Sequence, residues 1–275
     1  GGFQIVSLSD FARVSDEGVV FRSHIDGSGH RFSPEEAVRV QELLGSDIAM
    51  CLDEVVSPLS DRRTTERAVK RTLLWASRCL RGRTAEGMAL FAIGQGGLFP
   101  DLRVQCAAEL GNHNFDGYAV GGLALGEDRD RTWEAVESSL GAFSREKPRY
   151  LMGMGTPSDL LDGIQRGVDM FDCVMPTRNA RNGTLFTSLG RLSIRSASLR
   201  EDPMPVDPSC QCHTCRHFSR SYLRHLYNTR EMLGFRLSTI HNLSYYLQLV
   251  SGAREAILSG SFRIFRNEVE RGWRE

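Results

Sequence analysis

The chain has 275 residues, of which 41% are apolar, enough to fill one large core or two modest ones. Lysine plus arginine and aspartate plus glutamate both number 34, so the net charge is zero; no global basic field favours nucleic acid, and any RNA site must be a local patch. No run approaches the roughly 18 apolar residues of a membrane span, and the opening GGFQIVSLSD has neither the charge nor the apolar stretch of a secretory signal, which points to a cytoplasmic protein without a membrane partner.

From about residue 48 short apolar runs alternate with longer amphipathic ones, the βα pattern. The runs are IAMCLDEV from Ile48, MALFAIGQG from Met88, GYAVGGLAL from Gly117, RYLMGMG from Arg149 and DMFDCVM from Asp169. Apolar residues fill both faces of each, as in buried parallel strands. Helices are predicted between them over Asp61 to Arg81, Pro100 to Leu110, Asp128 to Phe143 and Pro157 to Arg166. The strand-to-strand steps fit a β/α barrel or an open doubly wound sheet, which pattern alone separates poorly. Five units are visible, so an eight-stranded barrel requires further strands upstream. After Asp172 the texture changes: NGTLFTSLGRLSIRSAS reads as short antiparallel strands, then comes a cysteine cluster, then helices over Ser219 to Leu233, Asn242 to Leu258 and Ser261 to Arg271.

Of the seven cysteines, Cys51, Cys79, Cys106 and Cys173 are scattered singly, as reduced core thiols are. Cys210, Cys212 and Cys215 instead form C-x-C-x-x-C, and three thiolates need a fourth ligand to complete a tetrahedron around zinc. His241 is the best candidate, with His213 and His217 as rivals. A site with four protein ligands has no open position, so the metal would hold structure and not activate water.

If the five runs are parallel strands, their C-terminal ends carry Asp53 with Glu54, Gln95 with Gly96, Gly121 with Gly122, Met152 with Gly153, and Asp172. Barrel enzymes work at that rim. Asp53 can accept from the N1–H and exocyclic amine of a guanine-like ring, Gln95 can donate to its carbonyl, and Gly122 can offer a backbone N–H. Asp172 can attack an anomeric carbon, as retaining glycosidases do. Arg178 and Arg181, on the Gly-terminated loop PTRNARNG, suit the phosphates of a reacting nucleotide.

These motifs resemble those of the tRNA-guanine transglycosylases, the queuosine-pathway tRNA-ribosyltransferases of bacterial type. The matching stretches are GGFQIVSL at Gly1, HIDGSGHRFSPEEAV at His24, LGSDIAMCLDE at Leu44, IGQGG at Ile93, DGYAVGGLALGE at Asp116, YLMGMG at Tyr150, GVDMFDCVMPTRNARNG at Gly167, and CQCHTC with His241. The resemblance implies a (β/α)8 TIM-type barrel lacking its N-terminal strands here. Residues 1–190 would form the barrel portion, 191–245 a zinc-binding subdomain and 246–275 C-terminal helices closing the barrel.

It also implies roles. Asp172 is the nucleophile toward ribose C1′ of the wobble guanosine of a tRNA. Asp53, Gln95 and Gly122 recognise the base, Leu123 lends backbone contacts, Glu127 supports that loop, and Phe3 and Met152 sandwich the purine. Arg178 and Arg181 hold tRNA, while Cys210, Cys212, Cys215 and His241 hold structural Zn2+. A homodimer packs through the zinc subdomain, where Phe218, Tyr222 and His225 occupy matching positions. Guanine leaves, a 7-deazaguanine base enters, and configuration is retained.

Two departures matter. The family's first signature reads Asp-Ser-Gly-Gly, with its aspartate as general acid/base, and this chain begins at the glycines. Where bacterial members read Asp-Glu-Cys this chain has Asp53, Glu54 and Val55, closer to the eukaryotic-type, queuine-accepting members, yet Leu125, where bacterial members carry valine, is larger than a bulkier base would want. Queuine is favoured over the aminomethyl precursor base, which stays open. The alternative to an enzyme is a non-catalytic homologous tRNA-binding subunit or inactive fragment, against which an intact Asp172 and base pocket argue. An unrelated barrel zinc hydrolase would need an open metal site near Asp172.

Overall fold

The computed structural model describes residues 12–273, so Phe3 lies outside the described residues. The chain divides into two compact units, Gly1–Met154 with Gln165–Asp172, and Gly155–Ile164 with Cys173–Glu275.

The first unit opens on an antiparallel three-stranded sheet of β1 (Ala12–Ser15), β2 (Gly18–Arg22) and β3 (Gly29–Phe32), which the βα reading from residue 48 onward did not anticipate. Its strands are short and mostly exposed, so they lack the alternation that would have marked them. Helix α1 (Pro34–Leu43) follows, with Ser33 as N-cap accepting from the Glu36 N–H and Pro34 at its start.

Then come β4 (Ile48–Met50), α2 (Arg62–Gly82), β5 (Ala89–Gly94), α3 (Pro100–Gly111), β6 (Gly117–Val120), α4 (Arg129–Ala142), β7 (Arg149–Leu151) and, after a helix assigned to the second unit, β8 (Met170–Phe171). All five expected strands are present and form one parallel sheet in strict chain order, β4-β5-β6-β7-β8. That order settles what the sequence left open. A doubly wound sheet reverses direction from its centre, whereas right-handed crossovers added always to the same edge keep the helices on one face and curl the sheet as a barrel segment. β6 is buried along its whole length and β5 along all but its first residue, as expected of strands covered on both faces.

Helix placement follows local chemistry. Asp61 caps α2 by accepting from the Thr64 N–H at 2.7 Å, and Asp128 caps α4 through the Asp130 and Arg131 N–H groups, each worth about 1 kcal/mol. The inner face of α2 buries Ala68, Val69, Trp75, Ala76 and Cys79. Trp75, fully buried, donates its indole N–H to Asp16 O at 2.9 Å and so fastens the N-terminal sheet to α2. Truncating it to alanine would cost about 3–5 kcal/mol.

The second unit holds α5 (Pro157–Gln165), α6 (Met175–Asn182), the hairpin β9 (Thr184–Thr187) and β10 (Gly190–Ser193), a short 3-10 turn at Ala197–Leu199, and α7 (His213–His217), α8 (Arg220–Asn228), α9 (Met232–Leu258) and α10 (Phe262–Gly272). Leu185, Ile194, Val206, Leu223, Tyr227 and Leu237 are among its buried core. Two expectations are corrected here. Arg178 and Arg181 lie on a helix, bracketed by Pro176 at its start and by Gly183, left-handed at φ 89°, at its end. The stretch Ser219 to Leu233 is not one helix: α8 stops at Asn228, Arg230 takes the left-handed conformation at φ 58°, and Glu231 N–H bonds Leu226 O at 2.9 Å. The chain then restarts as a single 27-residue α9 that carries His241 in its interior.

Candidate active site and metal centre

In the first unit, the strand ends gather the predicted polar residues. Asp53 and Gln95 are 3% and 1% exposed, and Gln95 Nε2 donates to Asp53 Oδ2 at 2.7 Å. The carboxylate thereby fixes which way the amide faces, since a flipped Gln95 would set oxygen against oxygen. Gln95 Oε1 is buried without a hydrogen-bond partner among the described residues, an acceptor costly to leave unmet in the absence of a ligand. Gly122 lies over it. Its φ of +68° is left-handed, and a Cβ there would overlap Gln95 Oε1. Met152, half-buried, has its Sδ 3.6 Å from where a Gly121 Cβ would stand.

The segment after Gly122 is held in an unusual shape. Ala124, a non-glycine, is at φ 61° and Gly126 at φ 107°. Glu127 keeps it there: Oε1 accepts from the Ala124 N–H and from the Thr132 hydroxyl at 3.1 Å, and Oε2 accepts from the Leu125 N–H at 2.8 Å. Leu123 is 5% exposed and packs into the core, so its side chain anchors the segment while its backbone stays at the rim.

Asp172 follows β8 and is exposed. The Tyr150 hydroxyl donates to its Oδ1 at 2.6 Å and the Gly153 N–H donates to the same oxygen at 2.9 Å; Oδ2 accepts nothing from the described residues. Burial, and then the hydrogen bond to Asp172, raise the Tyr150 pKa well above the usual phenol value, so it remains a donor. One carboxylate oxygen is tethered and the other is available to a substrate. The sequence reading gave Tyr150 no role, although it stands two residues before Met152 and strand alternation puts both on one face.

Arg103 was missed too. It is completely buried, its Nε donates to Gly97 O at 2.9 Å, and its Nη1 donates to Gly94 O at 3.1 Å and Gly121 O at 2.8 Å. Burial lowers its pKa to about 10. Its signal was positional: Phe99, Leu102, Arg103, Cys106, Ala107 and Leu110 mark one helix face, and Arg103 is the only charge on it.

In the second unit the ligand atoms of Cys210, Cys212, Cys215 and His241 all lie within 4.8 Å of one another. Three sulfurs and an imidazole nitrogen at that spacing fit a tetrahedral metal ion with bonds of about 2.0–2.3 Å. His241 presents Nδ1 to the sulfurs, 3.2 Å from Cys215 Sγ and 3.6 Å from Cys212 Sγ, while Nε2 donates to Phe186 O at 2.7 Å, an outer contact that sets its tautomer. Next to it, fully buried Asn242 donates to Pro176 O and Thr184 O and accepts from the Phe186 N–H, so α9 grips β9 from both backbone groups of one residue. Hydrogen bonds from the Cys210 and Cys215 thiols pull the Cys212 pKa down, toward the thiolate that binds metal. His213 and His217 stay outside the cluster; their rings lie 4.5 Å apart and His217 Nδ1 faces His213 O. Sequence reasoning also missed Asp207, whose carboxylate orders the approach to Cys210 by accepting from the backbone and hydroxyl of Ser188 and of Ser209.

Arg178 and Arg181 are exposed, one helical turn apart on α6, and pair with no carboxylate among the described residues. Phe218 and Tyr222 stack with ring centres 5.5 Å apart, and Tyr222 and His225 are exposed. Among the described residues no helix is long and apolar enough to cross a membrane.

The profile of a family described as queuine tRNA-ribosyltransferase matches residues 1–275. The chain is 53% identical over 272 residues to a queuine tRNA-ribosyltransferase of Nitratidesulfovibrio vulgaris (strain DP4), covering 98% of this chain and 72% of that protein. It is 51% identical to the one of Solidesulfovibrio magneticus, covering 98% and 73%, and 48% identical to the one of Halothermothrix orenii, with the same coverage.

Proposed function

The chain belongs to the queuine tRNA-ribosyltransferase family, and from that membership we propose that it exchanges the guanine at the wobble position of a tRNA for a 7-deazaguanine base through an ester between Asp172 and ribose C1′. It is therefore an enzyme of the pentosyltransferase class. The observation that carries the chemistry is the asymmetry of Asp172, with Oδ1 fixed by Tyr150 and Gly153 and Oδ2 unengaged among the described residues.

Asp172 Oδ2 attacks C1′ as the bond to N9 breaks, the electron pair leaving on the base. Guanine takes up a proton at N9 from solvent as it departs, the incoming base gives its own N9 proton to solvent, its freed electron pair attacks C1′, and the ester breaks to return Asp172 as a carboxylate. Two inversions retain configuration, and one N9–H base enters for each that leaves. Asp53 accepts from the ring N1–H and exocyclic amine that guanine and 7-deazaguanines share, while Gln95 and the Gly122 N–H address the carbonyl edge. Glu127 and Leu123 hold the Gly122 segment in the conformation that aims this N–H. Met152 covers one ring face, with Phe3 as the opposing residue. Queuine is the base we favour, since Val55 replaces a cysteine beside Asp53.

Arg178 and Arg181, exposed and without a carboxylate partner among the described residues, offer guanidinium groups to tRNA phosphates. Cys210, Cys212, Cys215 and His241 would hold zinc, which, with all four positions taken by protein ligands, would tie the second unit together structurally and would not activate water. A homodimer would use the face bearing Phe218, Tyr222 and His225. The test is incorporation of radiolabelled guanine, queuine and its aminomethyl precursor into wobble-guanosine tRNA. Incorporation that is lost in Asp172→Ala with metal content unchanged supports the reading, and incorporation that survives the substitution overturns it.

A further inference from the structure

Gln95 and Gly122 lie just beyond the ends of two different strands, β5 and β6, and a planar base can be read only if their separation is held fixed. The ladder alone gives β5 and β6 one bond at this point, Gly121 N–H to Gly94 O at 3.1 Å. Beyond it both chains leave the sheet in conformations that only local contacts can hold, with Gly96 at φ 150°, Gly97 at φ 56° and Gly122 at φ 68°.

We infer that Arg103 is a positioning residue for the base pocket, which locks the ends of β5 and β6 together by donating to the carbonyls of Gly94, Gly97 and Gly121 and thereby sets the spacing of the Gln95 side chain and the Gly122 amide. This deepens the exchange reading and rests on it. Gly96 makes room for the device, because a Cβ there would stand 2.7 Å from Arg103 N and 3.0 Å from its Cγ. Only a guanidinium suits: its rigid fork reaches carbonyls in three directions, whereas a lysine presents one point of charge on a flexible stem. Burial disfavours the charge, and Nη2 has no hydrogen-bond partner among the described residues, so the arrangement supplies geometry at the expense of stability. Charge interaction with Glu127 couples the same group to the carboxylate that shapes residues 122–126.

The experiment compares the wild type with Arg103→Lys and Arg103→Met in steady-state guanine exchange, with guanine Kd by equilibrium dialysis. The expected result is a rise in guanine KM and Kd of about tenfold in both variants, with kcat at saturating base within about threefold and tRNA KM unchanged. Leu140→Ala, a core change on α4, controls for destabilisation, which lowers the active fraction without raising KM. Guanine KM within twofold of wild type in Arg103→Lys overturns the inference. Should Arg103→Met fail to fold, Arg103→Lys decides; should neither fold, Arg103 serves stability alone and the inference falls. A wild type that exchanges no base removes the exchange reading itself, an outcome distinct from variants that match an active wild type.

Discussion

Adding one methyl group at Gly122 perturbs the base pocket directly, because the three heavy atoms nearest the new Cβ all belong to Gln95. At φ 68° an alanine costs about 1–2 kcal/mol of backbone strain. Its Cβ would overlap Gln95 Oε1, well inside the 3.0 Å that real Cβ atoms keep. Gln95 is 1% exposed and its Nε2 is tied to Asp53, so Oε1 moves only by giving up that bond, at roughly 1–3 kcal/mol for a buried carboxylate left short of a donor. The sum is about 2–5 kcal/mol, all of it local to the pocket. The backbone strain is common to free and bound protein and lowers stability, whereas the roughly 1–3 kcal/mol on the Gln95 side must be met again on binding, so Gly122→Ala should raise guanine Kd about fivefold or more, since 1.4 kcal/mol is about tenfold, and leave metal content unchanged. Equilibrium dialysis with labelled guanine reads the first and metal analysis the second. Guanine affinity within twofold of wild type would refute the assignment of Gln95 and Gly122 to base recognition.

Further outcomes follow from the same contacts. Tyr150→Phe removes a hydrogen bond to a carboxylate, and kcat should fall roughly tenfold to a hundredfold with base KM unaffected; an unchanged kcat contradicts the anchoring of Oδ1. Because the folded Tyr150 pKa is raised, its contribution to stability is fully present below the unfolded value of 10.0 and is lost as pH rises through the folded value, so exchange should show no Tyr150-dependent decline up to pH 9, as comparison with Tyr150→Phe would reveal. Glu127→Ala frees the Ala124 and Leu125 N–H groups and should weaken base affinity about tenfold, with faster amide exchange confined to residues 122–126. For the proposed zinc site, Cys212→Ser should leave the protein metal-free and lower Tm by about 10 °C, and a metal-free protein melting at the wild-type temperature speaks against a structural centre.

The barrel strands were legible because burial on both faces leaves continuous apolar runs, and the strand ends were legible because polar residues and glycines interrupt them there. The ordering of those strands was not, since a one-dimensional pattern carries no information on which edge each new strand joins. The Cys3His group was readable from C-x-C-x-x-C with His241 as the best candidate for the fourth ligand, and the structure brings His241, not its rivals His213 and His217, to the three sulfurs. Arg103 left one trace, as the single charge on an otherwise apolar helix face, but its carbonyl partners beyond β5 and β6 did not show in the pattern, and Asp207 acts by bonding Ser188 and Ser209, contacts that leave no periodic trace. The N-terminal antiparallel sheet escaped notice because its strands are too short and too exposed to alternate.

The central claim is the ester on Asp172, and the direct measurement is denaturing electrophoresis of the protein after incubation with labelled wobble-guanosine tRNA in the absence of any added base. A tRNA band that migrates with the protein, is discharged by added guanine, and is absent from Asp172→Asn is the predicted result. Base exchange proceeding without that band, or a band that persists in Asp172→Asn, would contradict the double displacement.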